Sequence, residues 1–142
     1  MDTVKSFAIG PIGYVHSTLK ERSGAPRQGD EGAPDARLEI DAAFVQGLDG
    51  IEAGHEIWIF TWLHQANREV LKVHPRFDVL NAVKGVFATR SPDRPNPIGL
   101  HRAMVLSVNG GRLEVQGLEA IDGTPVIDIK PVLQCRRDAS GS

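Results

Sequence analysis

The decapeptide HEIWIFTWLH, His55 to His64, constrains the fold more than any other stretch of this chain. In an extended conformation Ile57, Ile59, Thr61 and Leu63 fall on one side, and Trp58, Phe60, Trp62 and His64 on the other. Both sides are largely apolar, so both need cover. A sheet with one wetted face would show a polar residue at every second position. The segment therefore predicts a barrel wall or a strand beneath a second layer, with the aromatic row Trp58, Phe60, Trp62 in the core.

The remaining punctuation agrees with a β-rich chain. IGPIGYVHS (Ile9 to Ser17), ARLEI (Ala36 to Ile40), REVLKVHP, GVFATRS and PVIDIKPVL all read as extended. AMVLSVNGGRLEVQGL is the clearest hairpin, with Met104, Leu106 and Val108 leading into a turn at Asn109, Gly110 and Gly111, and Leu113 and Val115 returning. DAAFVQGL suggests one short helix, capped by Asp41 and ended by Gly47. About seven short strands with one or two minor helices predict a mostly-β barrel. Gly10 and Gly13 lie in an extended pattern with no helix after them, so neither a P-loop nor a dinucleotide-binding fingerprint is present and a Rossmann fold is not expected.

With 142 residues, 41% of them hydrophobic, the chain fits one compact domain over 1–142. Residues 18–35 are rich in Gly, Pro and charge and are expected to form a mobile loop, and 136–142 a frayed tail. A formal net charge of −2 excludes binding to nucleic acid by bulk positive charge, so any such contact must be local. Arg94, Arg102, Lys130, Arg136 and Arg137 are the residues that could form a basic face. The single cysteine, Cys135, can form no intrachain disulfide, which suits a reducing compartment. No leader pattern or apolar run of spanning length is visible, and the expectation is a cytoplasmic protein without membrane contact. His55, His64 and His74 match no zinc spacing, so no metal site is expected. Ser91 lacks a nucleophile elbow and reads as a turn former before Pro92.

The block ATRSPDRPNPIGL, Ala88 to Leu100, carries the most chemical information. Three prolines restrict the residues before them, Ser91, Arg94 and Asn96, to extended conformations. A loop stiffened this way can present Arg90, Arg94 and Asn96 to a ligand at small entropic cost. The other reading is a plain connector whose arginines pair with surface acids such as Asp93.

GVFATRSPDRPNPIGL, followed by GLEAIDGTPVIDIKP, resembles the paired signature of the TrmO (TsaA-like) family. These are S-adenosylmethionine-dependent enzymes that methylate N6 of threonylcarbamoyladenosine beside the anticodon of tRNA. IGPIGYVHS, APRQG, GLDGIEAGHEIWIFTWLH and VHPR fall in the same order as in the family, so the likeness runs from Ile9 to about Leu133. It implies a small single-sheet β-barrel, a homodimer, and S-adenosylmethionine bound near the subunit interface. By resemblance the cofactor contacts are Pro26, Arg27 and Gln28, His64 and Gln65, Arg90 and Leu100, and Asp122, Gly123, Thr124 and Pro125. An arginine such as Arg27 or Arg90 suits the methionine carboxylate. Because the acceptor nitrogen must lose a proton, His64 and Asp122 are the candidate catalytic bases. Arg94, Asn96 and Lys130 are the candidate substrate contacts. The resemblance also implies a short form, since longer members continue into a C-terminal domain. His101 stands where Ser or Thr commonly follows IGL, and Val132 where Tyr often follows DIKP. The alternative function is an S-adenosylmethionine sensor or a small-molecule methyltransferase without tRNA activity, and a weaker one is a generic nucleotide-binding barrel.

Overall fold

A computed structural model describes residues 5–19, 36–74 and 83–134. Six strands close into a barrel: β1 (Gly13–His16), β2 (Ala36–Ile40), β3 (Glu56–Trp62), β6 (Ile98–Asn109), β7 (Arg112–Gln116) and β8 (Pro125–Pro131), in the order β1-β2-β7-β6-β3-β8. Outside it lies a two-stranded ladder, β4 (Lys72–Val73) with β5 (Lys84–Gly85). Every neighbouring pair in the barrel is antiparallel. The mostly-β, non-Rossmann reading of the sequence therefore holds.

Alternation decides what lies inside. Val15, Leu38, Ile40, Ile57, Ile59, Ala103, Val105, Leu113, Val115 and Val126 turn inward and form one buried cluster, joined by Leu118 of the β7–β8 connection. At about 25 cal/mol per Å² of buried apolar surface, this interior is the main stabilising term. β6 is long enough for two jobs. Its first half pairs with β3, from Trp62↔Ile98 to Glu56↔Met104, and its second half pairs with β7, from Met104↔Gln116 to Asn109↔Arg112. A register shift between Val105 and Ser107 falls where the strand passes from one partner to the other. The β6–β7 hairpin turns at Gly110 and Gly111 as its sequence indicates, with Gly110 at φ +66°.

Three expectations need correction. The aromatic row of β3 is not core: Ile57, Ile59 and Thr61 face the interior, while Trp58, Phe60 and Trp62 are half-buried on the outer wall. Arg102 stacks 5.5 Å from the Trp58 ring and Arg68 5.1 Å from Trp62, so guanidinium groups supply part of the cover that sequence reasoning assigned to a second layer. The segment Ala42–Leu48 is a 3-10 helix in which only Leu48 is buried, and Asp41 makes no side-chain cap. Its main-chain carbonyl accepts from Phe44 N–H instead (2.8 Å). Finally, REVLKVHP and GVFATRS contribute only two-residue strands, and Val86–Ala88 is a 3-10 turn. The Val86 carbonyl is bonded to Thr89 N–H and to the Arg94 guanidinium, so it has no place in a ladder.

Gly13 is the tightest point of the closure. It faces Ile40 on β2 and Val126 on β8 at once, and a Cβ there would sit 2.2 Å from the Glu39 carbonyl oxygen. Gly13→Ala is expected to destabilise the protein by about 2–3 kcal/mol through overpacking against main chain. Gly47→Ala, in open space, is expected to stay within about 0.5 kcal/mol of the parent. Paired urea titrations would check the contrast, and equal midpoints for the two variants would contradict it.

Candidate functional site

Antiparallel order sends three connections out of the same end of the barrel. β1, β3 and β7 end there and β2, β6 and β8 begin there, so the β1–β2, β3–β6 and β7–β8 segments share one mouth. These are the segments that carry the site residues expected from sequence. Pro26, Arg27 and Gln28 lie outside the described residues, but their flanks, Leu19 and Ala36, are at this mouth.

His64 and Gln65 follow directly from β3, are exposed, and lie beside the start of β6, where Leu63 N–H donates to the Pro97 carbonyl (2.8 Å). His64 makes no hydrogen bond or ion pair among the described residues. The IDGTP turn is fastened to β1. Gly123 N–H donates to the Val15 carbonyl (2.7 Å), and Val15 N–H donates to the Thr124 carbonyl (2.9 Å). Gly123 takes φ +88° with open space where a Cβ would be, so its backbone is accessible at close range. Thr124 is buried, with its hydroxyl donating to the Ile121 carbonyl (2.6 Å). Asp122 is engaged: its Oδ1 accepts from Ser17 N–H (2.9 Å) and its own N–H donates to the Leu19 carbonyl (2.6 Å). That carboxylate pins the outgoing end of β1, so of the two candidate bases His64 is the one left unengaged.

The proline block is braced from both sides. Arg94 turns inward and donates to the Ser91, Thr89 and Val86 carbonyls at 2.7, 2.7 and 2.9 Å. From the β3 side, Arg68 donates to the Pro95 carbonyl (2.6 Å) and Asn96 Oδ1 (3.0 Å) while lying over Trp62. Ser91 is a turn former, its hydroxyl accepting from Asp93 N–H (3.2 Å). Prolines restrict this loop, but two arginines hold it. Of the three side chains expected to be displayed together, Arg94 is an internal strut, Asn96 is held by Arg68, and Arg90 remains exposed, with a long 3.4 Å bond from Nη2 to the Leu100 carbonyl. Lys130 is elsewhere: it pairs with Trp58 in the far half of β8 and lies 3.8 Å from Asp128. Arg102, from the expected basic face, is bound to Glu56 at 2.7 Å.

One residue of this region was named in the sequence only as a departure from a pattern. His101 points inward from β6, and its Nε2 is 2.9 Å from Thr61 Oγ1. Burial, with the Arg90 guanidinium adding to it, pushes its pKa from 6.5 down to about 4, so the ring is neutral at pH 7. The clue was the alternation of Gly99, His101 and Ala103, which places an imidazole on the inner face.

A separate groove of about 1120 Å³ opens at the opposite end, lined by Gly50, His55, Trp58, Arg102, Pro131 and Leu133 among others. None of the residues expected to contact the cofactor lines it, although Arg102 of the expected basic face does. Chemically, the first mouth offers a cationic side chain for an anion, an accessible glycine backbone, the exposed apolar Leu100, and an imidazole able to take up a proton.

Comparison with known proteins bears on the family of the chain. Residues 14–136 match a family described as the tRNA-methyltransferase O N-terminal domain. A probable S-adenosyl-L-methionine-binding protein of Methanothermobacter thermautotrophicus is 45% identical over 123 residues, covering 87% of this chain and 88% of its own length. A putative S-adenosylmethionine-dependent methyltransferase, RcsF, of Pseudomonas aeruginosa is 42% identical over 132 residues, covering 89% of this chain and 55% of that protein. The crystal structure of TrmO from Pseudomonas aeruginosa superposes with a TM-score of 0.73 at 34% identity, over 91% of this chain and 57% of that one. The chain thus spans little more than half of these longer relatives.

The low His101 pKa makes acid stability testable. As pH falls below 6.5 the unfolded chain takes up the proton while the folded one does not. The contribution is full above about pH 6.5 and is lost progressively toward pH 4. Relative to His101→Gln, the parent protein should lose about 1 kcal/mol more per pH unit between pH 6 and 4.5. Parallel slopes in denaturant titrations across that range would refute the assignment.

Proposed function

The chain belongs to the tRNA-methyltransferase O N-terminal-domain family, and on that premise we propose that it transfers a methyl group from S-adenosylmethionine to N6 of threonylcarbamoyladenosine next to the anticodon of tRNA. The observation that carries this reading is the convergence of three separate segments, all singled out in the sequence, on one barrel mouth. S-adenosylmethionine is the cofactor, and the residues at the mouth fit it. Arg90 is an exposed cation for the carboxylate, Gly123 exposes backbone at a positive φ, and Leu100 offers an apolar surface for adenine. By resemblance Pro26, Arg27 and Gln28, outside the described residues, complete the cofactor contacts. When bound, the cofactor supplies an electrophilic methyl group on a sulfonium.

The protein's part is placement and proton handling. Proximity alone can supply several kcal/mol of the barrier, and a braced proline loop beside a barrel rim holds geometry well. Asp122 keeps the β1 exit and the IDGTP turn in register through Ser17. His64, exposed at the rim, accepts the acceptor nitrogen's proton on a ring nitrogen. Asn96 is the remaining candidate contact to tRNA at this mouth, together with Arg94 through the loop it shapes, while Lys130 stands away from it in the far half of β8.

A second copy of the chain covers the outer wall of β3 and β6. Trp58, Phe60 and Trp62 there adjoin Ile98, Leu100 and Met104, which are 46%, 39% and 39% exposed. An exposed apolar face of this kind, interrupted by Arg102 over Trp58, marks an interaction surface, and Leu100 makes it continuous with the mouth.

A second reading, binding or small-molecule methylation without tRNA, is favoured by the internal pairing of Arg94, Arg102 and Lys130. Labelled S-adenosylmethionine, incubated with tRNA carrying threonylcarbamoyladenosine and with tRNA lacking it, separates the two. Transfer to the first pool only is expected, and at least a tenfold rate loss in His64→Gln. Cofactor binding without transfer would support the second reading. Analytical ultracentrifugation should give a dimer that Met104→Glu converts to monomer, and a monomeric parent at micromolar concentration would exclude the outer-wall interface.

A further inference from the structure

β6 begins with Gly99 and His101 on its inner face and Leu100 between them on the outer face. Thr61 of β3 is fully buried, and its hydroxyl meets His101 Nε2 at 2.9 Å. Gly99 makes the pair possible, because a Cβ there would lie 2.4 Å from Thr61 Oγ1 and 2.9 Å from the imidazole. Polar groups placed this deep are costly unless paired, and here each satisfies the other.

The position has a consequence on the other side of the strand. β7 pairs with β6 only from Met104 onward, so the start of β6 has a ladder partner on one side alone. The Leu100 carbonyl there takes the Arg90 guanidinium, the single exposed cation of the proline block that is not committed to bracing it. Thr61 and His101 fix β3 to β6 on the two residues flanking that carbonyl's strand position. A ring neutral at pH 7 does this without setting a second positive charge beside Arg90.

We propose that His101 is a positioning residue for the anion-binding arm of the cofactor site: clamped to Thr61 inside the barrel, it holds the Leu100 carbonyl on which Arg90 rests and so aims the guanidinium at the cofactor's carboxylate. The inference rests on the reading that S-adenosylmethionine binds at this mouth. His101 touches neither cofactor nor acceptor in this scheme and acts through Arg90.

Calorimetric titration of S-adenosylmethionine into the full chain tests it as a double-mutant cycle. His101→Ala should weaken binding about tenfold in the parent background and less than twofold when Arg90 is already alanine. His101→Gln, whose amide reaches the Thr61 hydroxyl, should recover most of the affinity. Thermal melts supply the control, since a stability loss from His101→Ala should be the same in both backgrounds. If His101→Ala does not fold, Thr61→Val replaces it in the cycle with the same expectation. An equal loss of affinity with and without Arg90, or no loss at all, overturns the positioning role and leaves the cofactor site standing. A parent protein that does not bind S-adenosylmethionine overturns the site and this role with it.

Discussion

Everything at the mouth depends on closure of the six-stranded sheet, and closure depends on backbone approaching backbone at its shortest strand. β1 has four residues to bridge β2 and β8, and Gly13 touches both. With that seam shut, each of the six barrel strands has a neighbour on both sides for at least part of its length. The ends of β1, β3 and β7 are then fixed in a ring, and whatever follows them in the chain has to share one rim.

On that rim, rigidity comes from two sources acting on different bonds. Proline rings limit φ within the loop, but they cannot say where the loop lies relative to the barrel. Arg94 and Arg68 do, Arg94 by donating to three main-chain carbonyls and Arg68 by donating to the Pro95 carbonyl and to Asn96 Oδ1. A guanidinium suits this work because its planar donors can serve two or three acceptors at once. The arrangement leaves Arg90 as the exposed cation of the loop, so of three neighbouring polar side chains one is turned outward while another shapes the segment that carries it.

The outer wall of β3 shows the same division between pattern and outcome. Alternation of Ile57, Ile59 and Thr61 with Trp58, Phe60 and Trp62 established an extended segment whose two faces both require cover. Hydrophobicity could not say which face is inside, since the aromatic side is the more apolar by area. Barrel curvature resolved it in favour of the smaller β-branched side chains, leaving the large rings outside under Arg68 and Arg102. The cap and end of the helix at Ala42–Leu48 and the short β4–β5 ladder departed from expectation for a different reason: local propensity is weak in segments that bury one residue or two, and the connections around them set their hydrogen bonds.

The sequence by itself determined the strand-rich class, the hairpin at Gly110 and Gly111, the stiff proline block and, through motif resemblance, the family and its candidate contacts. Those are properties of short windows, where side-chain period and φ restriction act between near neighbours. Tertiary structure alone decided that segments as far as 105 residues apart meet at one mouth, as when Ser17 N–H reaches Asp122. It alone turned Arg94 inward, carried Lys130 to the far half of its strand, and set His101 against Thr61. Each of these depends on strand register, and register is fixed by the closing of the whole barrel, which no local window contains.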